Sequence, residues 1–328
     1  MRVRIDRRSF VIDCAAMGVL SLFGPGPAGA QPAAAGPIRL VVGLSAGGAI
    51  DSLARTFGRQ LEEAVRASVI VDNRPGAAGA LAVANVGNAA ADGTTLLIAS
   101  VGEIAITPNL LSKIPFDPAR LVPVSELVVG SMTFVVGSQV PVKSMAEYLQ
   151  WSQGKSPFLL GTVGPGSPHH LLAVMMAESL KRNIEPVHYR QIGDMLSGLI
   201  SGELHGAFVP NILANTWQQS GKVTALAVSS PQRSPILPGI PTVRELGLQA
   251  AEFDGWIGVF APPGTTRELA DRLHASFAIA ARTPDVKAAM DLMGFTARAT
   301  RRDEFERVVT SDRARYAKVI ESIGLKAD

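Results

Sequence analysis

Short apolar runs alternate along the chain with longer segments whose apolar residues recur at helical spacing. The run from Ile38 to Val42 is continuous and ends at Gly43, which is typical of a buried parallel strand. The apolar positions between Ile50 and Leu61 lie three or four residues apart and predict a helix. Further strands are predicted at 69–71, 95–99, 158–160, 206–209 and 224–228. This alternation predicts an α/β fold with parallel strands.

Capping patterns predict helix starts in the second half of the chain. Ser144 is placed to cap a helix that runs through Trp151, and Pro284 is expected in the first turn of another helix. Thr242 and Thr265 are each followed three residues later by a glutamate, which is the capping-box pattern. The apolar spacing after residue 304 predicts one more amphipathic helix near the C-terminus.

Two glycine-rich turns occupy equivalent places in the two halves. The first glycine loop, residues 43–48, and the second glycine loop, residues 161–167, each follow a predicted strand and precede a predicted helix. Glycine lets the backbone approach a ligand closely, and the unpaired N–H groups at a helix start favour an anion. One such loop is weak evidence of function. Two of them suggest a carboxylate held between two α/β lobes.

The first 30 residues are typical of a secretory signal peptide. A basic start precedes an apolar stretch at 14–23 and a small-residue cleavage pattern at 28–30. Arg7 and Arg8 fit the twin-arginine pattern, so this export route is favoured over an ordinary signal with a chance arginine pair. We expect cleavage after Ala30, a short tether at 31–36 and a periplasmic mature protein.

Removal of the signal changes what the charge implies. The formal net charge is +3, but residues 1–30 hold four arginines and two aspartates, which leaves the mature chain at +1. Nucleic-acid binding is therefore not expected. The single cysteine, Cys14, leaves with the signal, so the mature chain has no disulfide and no thiolate metal site. Residues 37–328 suffice for two domains, and no later segment is apolar enough to span a membrane.

Catalysis by Ser45 is an alternative, because the first glycine loop matches the G-x-S-x-G pattern of a serine hydrolase. The match follows the first strand of the mature chain, so no earlier strand and loop can supply the usual oxyanion donor. The candidate base His274 falls on the apolar face of a predicted helix. These two departures make the chain more typical of a binding protein than of an enzyme.

The remaining cofactor and metal patterns are incomplete. The first glycine loop lacks the Lys-Ser/Thr pair of a nucleotide phosphate loop, and the second lacks the third glycine of the dinucleotide pattern. His169 and His170 are neighbours and point in different directions on a helix. No metal-binding histidine motif or carboxylate cluster accompanies them. We therefore expect no metal and no cofactor.

Six motifs occur in order over nearly the whole mature chain. They are G-G-x-x-D at 47–51, N-R-P-G-A-A-G at 73–79, D-G-x-T-L-L at 92–97, G-x-G-S-P-x-H-L at 164–171, R-S-P-x-L-P at 233–238 and P-T-V-x-E-x-G at 241–247. Together they resemble the Bug family, the TctC-like extracytoplasmic solute receptors of tripartite tricarboxylate transporters. The ordered set is far more specific than either glycine loop alone.

The resemblance implies a two-lobed Venus-flytrap fold of the type II-like periplasmic binding proteins, with two chain crossovers between the lobes. The crossings are expected near 137–142 and 253–258. Lobe 1 would then comprise residues 37–138, lobe 2 residues 139–253, and residues 254–328 would return to lobe 1. The implied function is delivery of a small organic carboxylate to the membrane subunits of a transporter. We expect a monomer, although the sequence leaves the oligomeric state open.

The resemblance also implies which residues bind the ligand, mainly through backbone amides and small hydroxyl groups. Lobe 1 would contribute Ala46, Gly47, Gly48, Asp51, Ser100 and Gly102, and lobe 2 would contribute Gly164, Gly166, Ser167, His170 and Asn211. Each assignment has a structural alternative. Asp51 fits a helix start better than a ligand contact, and His170 fits either a contact or a buried residue that shapes its loop. The turn at 73–76 is expected to brace the first glycine loop.

Three departures from the family pattern fall near the expected pocket. The usual Pro-Phe before the first glycine loop is Gly43-Leu44, the usual Asp-Asn is Pro210-Asn211, and the segment at 187–191 carries His188 and Arg190. The ligand of a known member is therefore not transferred to this chain. The sequence leaves open the identity of the carboxylate, the number of carboxylates recognised, and a role as a sensor rather than a transport receptor.

Overall fold

The structure is a computed structural model and describes residues 36–111, 113–164, 166–322 and 324. The predicted signal peptide, its cleavage site and all but the last residue of the predicted tether lie outside these residues. The strands are β1 Ile38–Val42, β2 Val69–Asn73, β3 Thr95–Ser100, β4 Val122–Gly130, β5 Met132–Gly137, β6 Leu159–Thr162, β7 Glu185–His188, β8 Gly206–Pro210, β9 Val223–Val228, β10 Gly255–Ala261 and β11 Thr296–Thr300.

Helices cover both faces of the strands. They are α1 Ala49–Val65, α2 Ala80–Gly87, α3 Thr107–Leu110, α4 Met145–Trp151, α5 Pro168–Leu180, α6 Ile192–Ser201, α7 Asn211–Gln219, α8 Arg267–Arg282, α9 Pro284–Leu292 and α10 Arg302–Ser322. A π-helical turn, Gly102–Ile106, joins β3 to α3. Ser144 caps α4 by accepting a hydrogen bond from the Glu147 N–H, and Pro284 is the first residue of α9, as the sequence predicts.

Two mixed sheets organise the two lobes. The first sheet has the order β11-β4-β10-β3-β1-β2, and the second has the order β7-β6-β8-β5-β9. Strands β1, β2 and β3 are parallel, as are β6, β7 and β8, which confirms the predicted α/β units. Strands β10, β4 and β11 add antiparallel pairs to the first sheet, and β5 and β9 add them to the second. The prediction of parallel strands missed these mixed edges.

The first passage between the sheets lies earlier than the sequence suggested. Strand β4 belongs to the first sheet and β5 to the second, so the chain changes sheets at Ser131 rather than at 137–142. The expected lobe 1 range of 37–138 therefore wrongly includes β5. Gly130 and Ser131 separate the apolar runs of β4 and β5, but this turn signal does not show that the two strands belong to different sheets.

The second passage follows β9. The segment after β9 stays tied to the second sheet, because the Phe253 N–H donates to the Ser229 carbonyl at 2.8 Å. Strand β10 then begins at Gly255 in the first sheet. The capping box at Thr242 lies in this segment and forms a turn rather than the helix that it predicts. The capping residue of α8 is Thr266, one residue after the predicted Thr265.

The carboxyl ends of the parallel strands in the two sheets face each other. At the first passage, Gly130 ends β4 beside the start of β10, and Met132 begins β5 beside Pro210 at the end of β8. Because β4 and β5 meet at Ser131, the loops that follow β1 and β3 open toward those that follow β6 and β8. Ligands of open α/β sheets bind at such carboxyl ends. The fold thus brings both glycine loops to one cleft.

A continuous apolar core extends beyond either sheet alone. It includes Ile104 and Phe305 from the first lobe together with Phe134 and Leu171 from the second. Trp256, near the start of β10, is 1% exposed and donates its indole N–H to Asp312 at 2.7 Å. In the described part of the chain no helix is long and apolar enough to cross a membrane.

Candidate ligand-binding cleft

The first glycine loop is held in shape by the helix that follows it. The Gly47 N–H donates to Asp51 Oδ2 at 2.9 Å, and Arg55 Nε donates to the same oxygen at 3.0 Å. Asp51 is buried, and the bond from Arg55 followed by that from Gly47 lowers its pKa despite the opposing effect of burial. Asp51 therefore supports the loop from inside α1, while residues 44–49 remain exposed.

Asn73 links the first glycine loop to α1. Its Nδ2 donates to the Leu44 carbonyl at 3.1 Å, and its Oδ1 accepts from Arg55 Nη2 at 3.3 Å. The Arg74 N–H donates to the Val42 carbonyl at 2.8 Å, which continues the pairing of β1 with β2. These bonds confirm the predicted brace at 73–76.

The second glycine loop repeats the arrangement with a different acceptor. The Gly166 N–H donates to His170 Nδ1 at 3.1 Å, again four residues ahead. Ser167 caps α5: its Oγ accepts from the His170 N–H at 3.2 Å and donates to the Gly164 carbonyl at 3.0 Å. The N–H groups of Gly47 and Gly166 are thus already engaged within their own loops, which limits the expectation that they act as ligand donors.

The helix starts after the two loops differ in the donors that they can offer. The first N–H groups of α1, at residues 49–51, have no acceptor inside the helix. In α5 the first residue is Pro168, which has no N–H, and the His170 N–H is taken by Ser167. The first glycine loop therefore offers the stronger backbone site for an anion.

His170 lies against a second histidine at the end of β7. The ring centroids of His170 and His188 are 4.9 Å apart in an edge-to-face arrangement, and His188 Nδ1 is hydrogen-bonded to Thr162 Oγ1. Burial, followed by the charge of His188, lowers the pKa of His170, and burial lowers the pKa of His188. His170 is 6% exposed and accepts the bond from the Gly166 N–H, so it helps to hold the loop in shape.

His169 is buried on the other side of the same helix turn. It is 9% exposed, and neither ring nitrogen has a hydrogen-bond partner. Because charging it would cost solvation, burial lowers its pKa from 6.5 to about 4. The folded protein therefore holds His169 neutral under conditions in which the unfolded chain would protonate it.

Replacing His169 with leucine is expected to make the protein more resistant to acid. The unfolded chain binds the extra proton below its ordinary pKa of 6.5, so this histidine costs stability as the pH falls from 6.5 toward about 4. The cost at pH 5 amounts to about 2 kcal/mol. Urea unfolding at pH 8 and pH 5 should show a smaller loss for His169→Leu than for the wild type. Equal losses would contradict this account.

Ser100 and Gly102 lie beside Glu103, a residue that no sequence motif indicated. Glu103 is 5% exposed, and its Oε2 accepts from both the N–H and the Oγ of Ser100, at 2.7 and 2.9 Å. The Ser100 hydroxyl therefore points to Glu103 in this structure. The available sequence signal was a glutamate three residues after a buried strand. That pattern is also typical of a solvated residue at a helix start, so it did not indicate a buried carboxyl group.

Asn211 lies at the first passage between the sheets. Its Oδ1 accepts from Thr133 Oγ1 and its Nδ2 donates to Ser131 Oγ, both at 2.7 Å. It lines a cavity with Ser131 and Arg298, and none of the described residues of the two glycine loops lines that cavity. The structure therefore shows Asn211 fastening β8 to the crossing, and a ligand contact stays a prediction.

The second glycine loop touches the first lobe. A Cβ placed on Gly166 would lie 2.4 Å from Cδ1 of Leu110, the last residue of α3. Within the described residues, no hydrogen bond joins the two glycine loops to each other. The second glycine loop therefore contacts α3 of the first lobe, whereas residues 44–49 of the first glycine loop are exposed.

Ser45 has no base beside it. It is exposed, and none of the five histidines is hydrogen-bonded to it. His274, the partner considered from sequence, instead contacts Ser125 Oγ at 3.2 Å. In the ranges that the structure describes, no group of three His, Cys, Asp or Glu side chains is arranged to hold a metal ion.

Comparison with solved structures identifies the class of fold. The periplasmic binding protein BugD superimposes with a TM-score of 0.69 at 25% identity, over 89% of this chain and 99% of BugD. A TctC solute-binding protein from Polaromonas gives a TM-score of 0.79 at 24% identity, over 88% and 99% of the two chains. Two lobes built on mixed sheets, with a cleft between facing strand ends, are the architecture of a periplasmic solute-binding protein.

The chain belongs to the tripartite tricarboxylate transporter receptor family, whose pattern matches residues 53–325. BugT of Bordetella pertussis is 29% identical over 311 residues, covering 92% of this chain and 93% of BugT. A UPF0065 protein encoded in the tcbD-tcbE intergenic region of a Pseudomonas species is 31% identical over 300 residues, covering 89% and 88%. The resemblance to the Bug family is thereby confirmed.

Proposed function

We propose that this protein is a periplasmic receptor that binds a small organic carboxylate in the cleft between its lobes and delivers it to the membrane subunits of a transporter. The observation that carries the proposal is the placement of two glycine loops, each before a helix start, at facing strand ends of the two sheets. The family to which the chain belongs supports the role as a solute receptor.

The first glycine loop supplies the main anion site. Residues 44–49 are exposed, and the first turn of α1, which follows the loop, has N–H groups without acceptors inside the helix. Several backbone donors fixed in place by Asp51 and Asn73 need no rearrangement when a carboxylate replaces water. Ala46, Gly48 and the start of α1 are the proposed contacts on this side.

The second glycine loop completes the cleft. Gly164, Ser167 and His170 are the proposed contacts on this side, in a loop whose shape is fixed by internal bonds. Gly102 and Asn211 are proposed at the two flanks. Closure of the two lobes around the ligand would then be recognised by the membrane subunits.

The site and one relative support the chemical class of ligand that we propose. An adipate-bound protein of R. palustris is 27% identical, with a TM-score of 0.72, and covers 89% of this chain and 98% of its own. Both sides of the present cleft carry polar backbone, which suits a molecule with polar groups at its two ends. We therefore propose a small mono- or dicarboxylate, an exported monomeric receptor cleaved after Ala30, and no catalytic role.

A binding screen tests this proposal. The mature protein is titrated calorimetrically with mono-, di- and tricarboxylates, amino acids and aromatic acids, and ester hydrolysis is assayed in parallel. Saturable one-to-one binding of a carboxylate without turnover is the expected result. Ester hydrolysis that disappears in Ser45→Ala, in a protein that binds no carboxylate, would instead establish the hydrolase.

A further inference from the structure

Glu103 is a buried carboxyl group directly behind the proposed anion site. Its Oε2 accepts both hydrogen bonds that Ser100 donates, so it is fixed to the end of β3. Its Oε1 is buried and has no hydrogen-bond partner. Among the described residues no lysine, arginine or histidine forms an ion pair with it. Half of this carboxyl group is therefore unsatisfied.

Two glycines make room for the unsatisfied oxygen. A Cβ on Gly43, which opens the first glycine loop, would lie 2.5 Å from Glu103 Oε1, and one on Gly79 would lie 2.7 Å from the same atom. The first glycine loop, the turn before α2 and the end of β3 therefore meet at this single carboxyl group. A charge on it acts directly beneath the surface proposed to hold the ligand.

The surroundings leave that charge uncompensated. Burial raises the pKa of Glu103 from 4.5 to about 7, against the two bonds from Ser100. Asp51 on α1 is paired with Arg55, and Asp312 on α10, which packs on the π-helical turn, accepts a hydrogen bond from Trp256. Helix α2 carries no titratable side chain.

We propose that Glu103 takes up a proton when a carboxylate binds in the cleft, so that the affinity for anions falls as the pH rises above neutrality. This inference rests on the proposed function. An ionised Glu103 would repel the bound anion through a poorly screened interior, and protonation removes that repulsion. The proton comes from solvent and is added to Oε1, and no other bond changes. Binding and protonation must favour each other equally.

The relevant pH range separates Glu103 from other groups. Burial lowers the pKa values of His170 and His188 below the ordinary 6.5, whereas it raises the pKa of Glu103 to about 7. Carboxylate ligands have ordinary pKa values of about 4 and stay ionised. Proton uptake between pH 7 and 8.5 that is present in the wild type and lost in Glu103→Gln therefore reports on Glu103.

Calorimetric titration with adipate tests the coupling on the mature chain. Titrations at pH 7.0 and 8.5, in pairs of buffers with different ionisation enthalpies, give both the dissociation constant and the number of protons taken up. In the wild type we expect the dissociation constant to rise on the order of tenfold between these pH values, with close to one proton taken up near pH 8. Glu103→Gln should show neither effect.

The matched control is Glu126→Gln. Glu126 is also a buried glutamate with a pKa raised by burial, but it lies on β4, separated from β3 by β10. This variant should retain the wild-type proton uptake. If Glu103→Gln does not fold, the wild-type proton count alone decides: a count near zero at pH 8 overturns the coupling.

The outcomes separate the two proposals. Adipate binding with equal proton uptake in the wild type and Glu103→Gln overturns the role of Glu103 and leaves the receptor intact. If neither adipate nor any other carboxylate of the screen binds at any pH between 5.5 and 8.5, the receptor function fails and the coupling fails with it. Binding with uptake that is lost only in Glu103→Gln supports both.

Discussion

Replacing Gly43 with alanine is expected to lower the free energy of unfolding by about 3 kcal/mol. The new methyl group would lie 2.5 Å from Glu103 Oε1 and 2.8 Å from the backbone Cα of Gly79. Glu103 cannot withdraw easily because Ser100 holds its other oxygen, and a backbone atom cannot rotate away. The strand end, the turn before α2 and the π-helical turn must therefore shift together.

Gly48→Ala is the matched control for this prediction. Gly48 lies in the same loop with a φ of −78°, which any residue adopts, and the nearest atom to an added Cβ is 3.5 Å away. Chemical unfolding at pH 7 should show a loss of no more than about 1 kcal/mol for Gly48→Ala, the N-cap residue of α1, and a much larger loss for Gly43→Ala. Similar stabilities for Gly43→Ala and the wild type would contradict the packing of Glu103 described above.

Replacing Gly166 with alanine should cost a similar amount, about 3 kcal/mol, for two separate reasons. Its φ of +70° disfavours a side chain by about 1 to 2 kcal/mol. The methyl group would also lie 2.4 Å from Leu110 Cδ1, across the contact between the lobes. Gly164→Ala shares the positive φ, at +74°, but has no atom within 4 Å, so it should show the backbone cost alone.

A double-mutant cycle isolates the contact between the lobes. Leu110→Ala removes the side chain that the new methyl group meets, so Gly166→Ala should cost less in that background by about 1 kcal/mol or more. Gly164→Ala should cost the same with either residue at position 110. Equal costs of Gly166→Ala in both backgrounds would show that the second glycine loop and α3 do not touch in solution.

The sequence predicted the fold where local signals agree with tertiary structure. The apolar runs gave the central parallel strands, and Ser144 and Pro284 marked true helix starts because these residues satisfy or remove N–H groups locally. The crossing at Ser131 was missed because the turn signal of Gly130 and Ser131 does not distinguish a tight turn within one sheet from a passage between two sheets. The capping box at Thr242 forms only a turn, since the following residues pack back on β9 rather than continue as a helix.

The site shows the same division between local and distant information. The glycine loops and the brace at Asn73 could be identified because each depends on a short motif. Glu103 could not, because its importance arises from Gly43 and Gly79, which are distant in sequence and adjacent only after β1 and β3 pair. That Gly47 and Gly166 donate to Asp51 and His170 also required coordinates, since spacing does not reveal which acceptor an N–H group finds.

Calorimetric titration of the wild type and Gly48→Val with the carboxylate panel, including adipate, tests the central claim most directly. An added Cβ at Gly48 meets no atom closer than 3.5 Å, so valine should cost only about 1 kcal/mol of stability, from the loss of glycine at the N-cap of α1, while it covers the backbone that the ligand must approach. The account predicts saturable binding by the wild type and at least a tenfold weaker affinity in Gly48→Val, corresponding to about 1.4 kcal/mol. Equal affinities, or no carboxylate binding by the wild type, would contradict it.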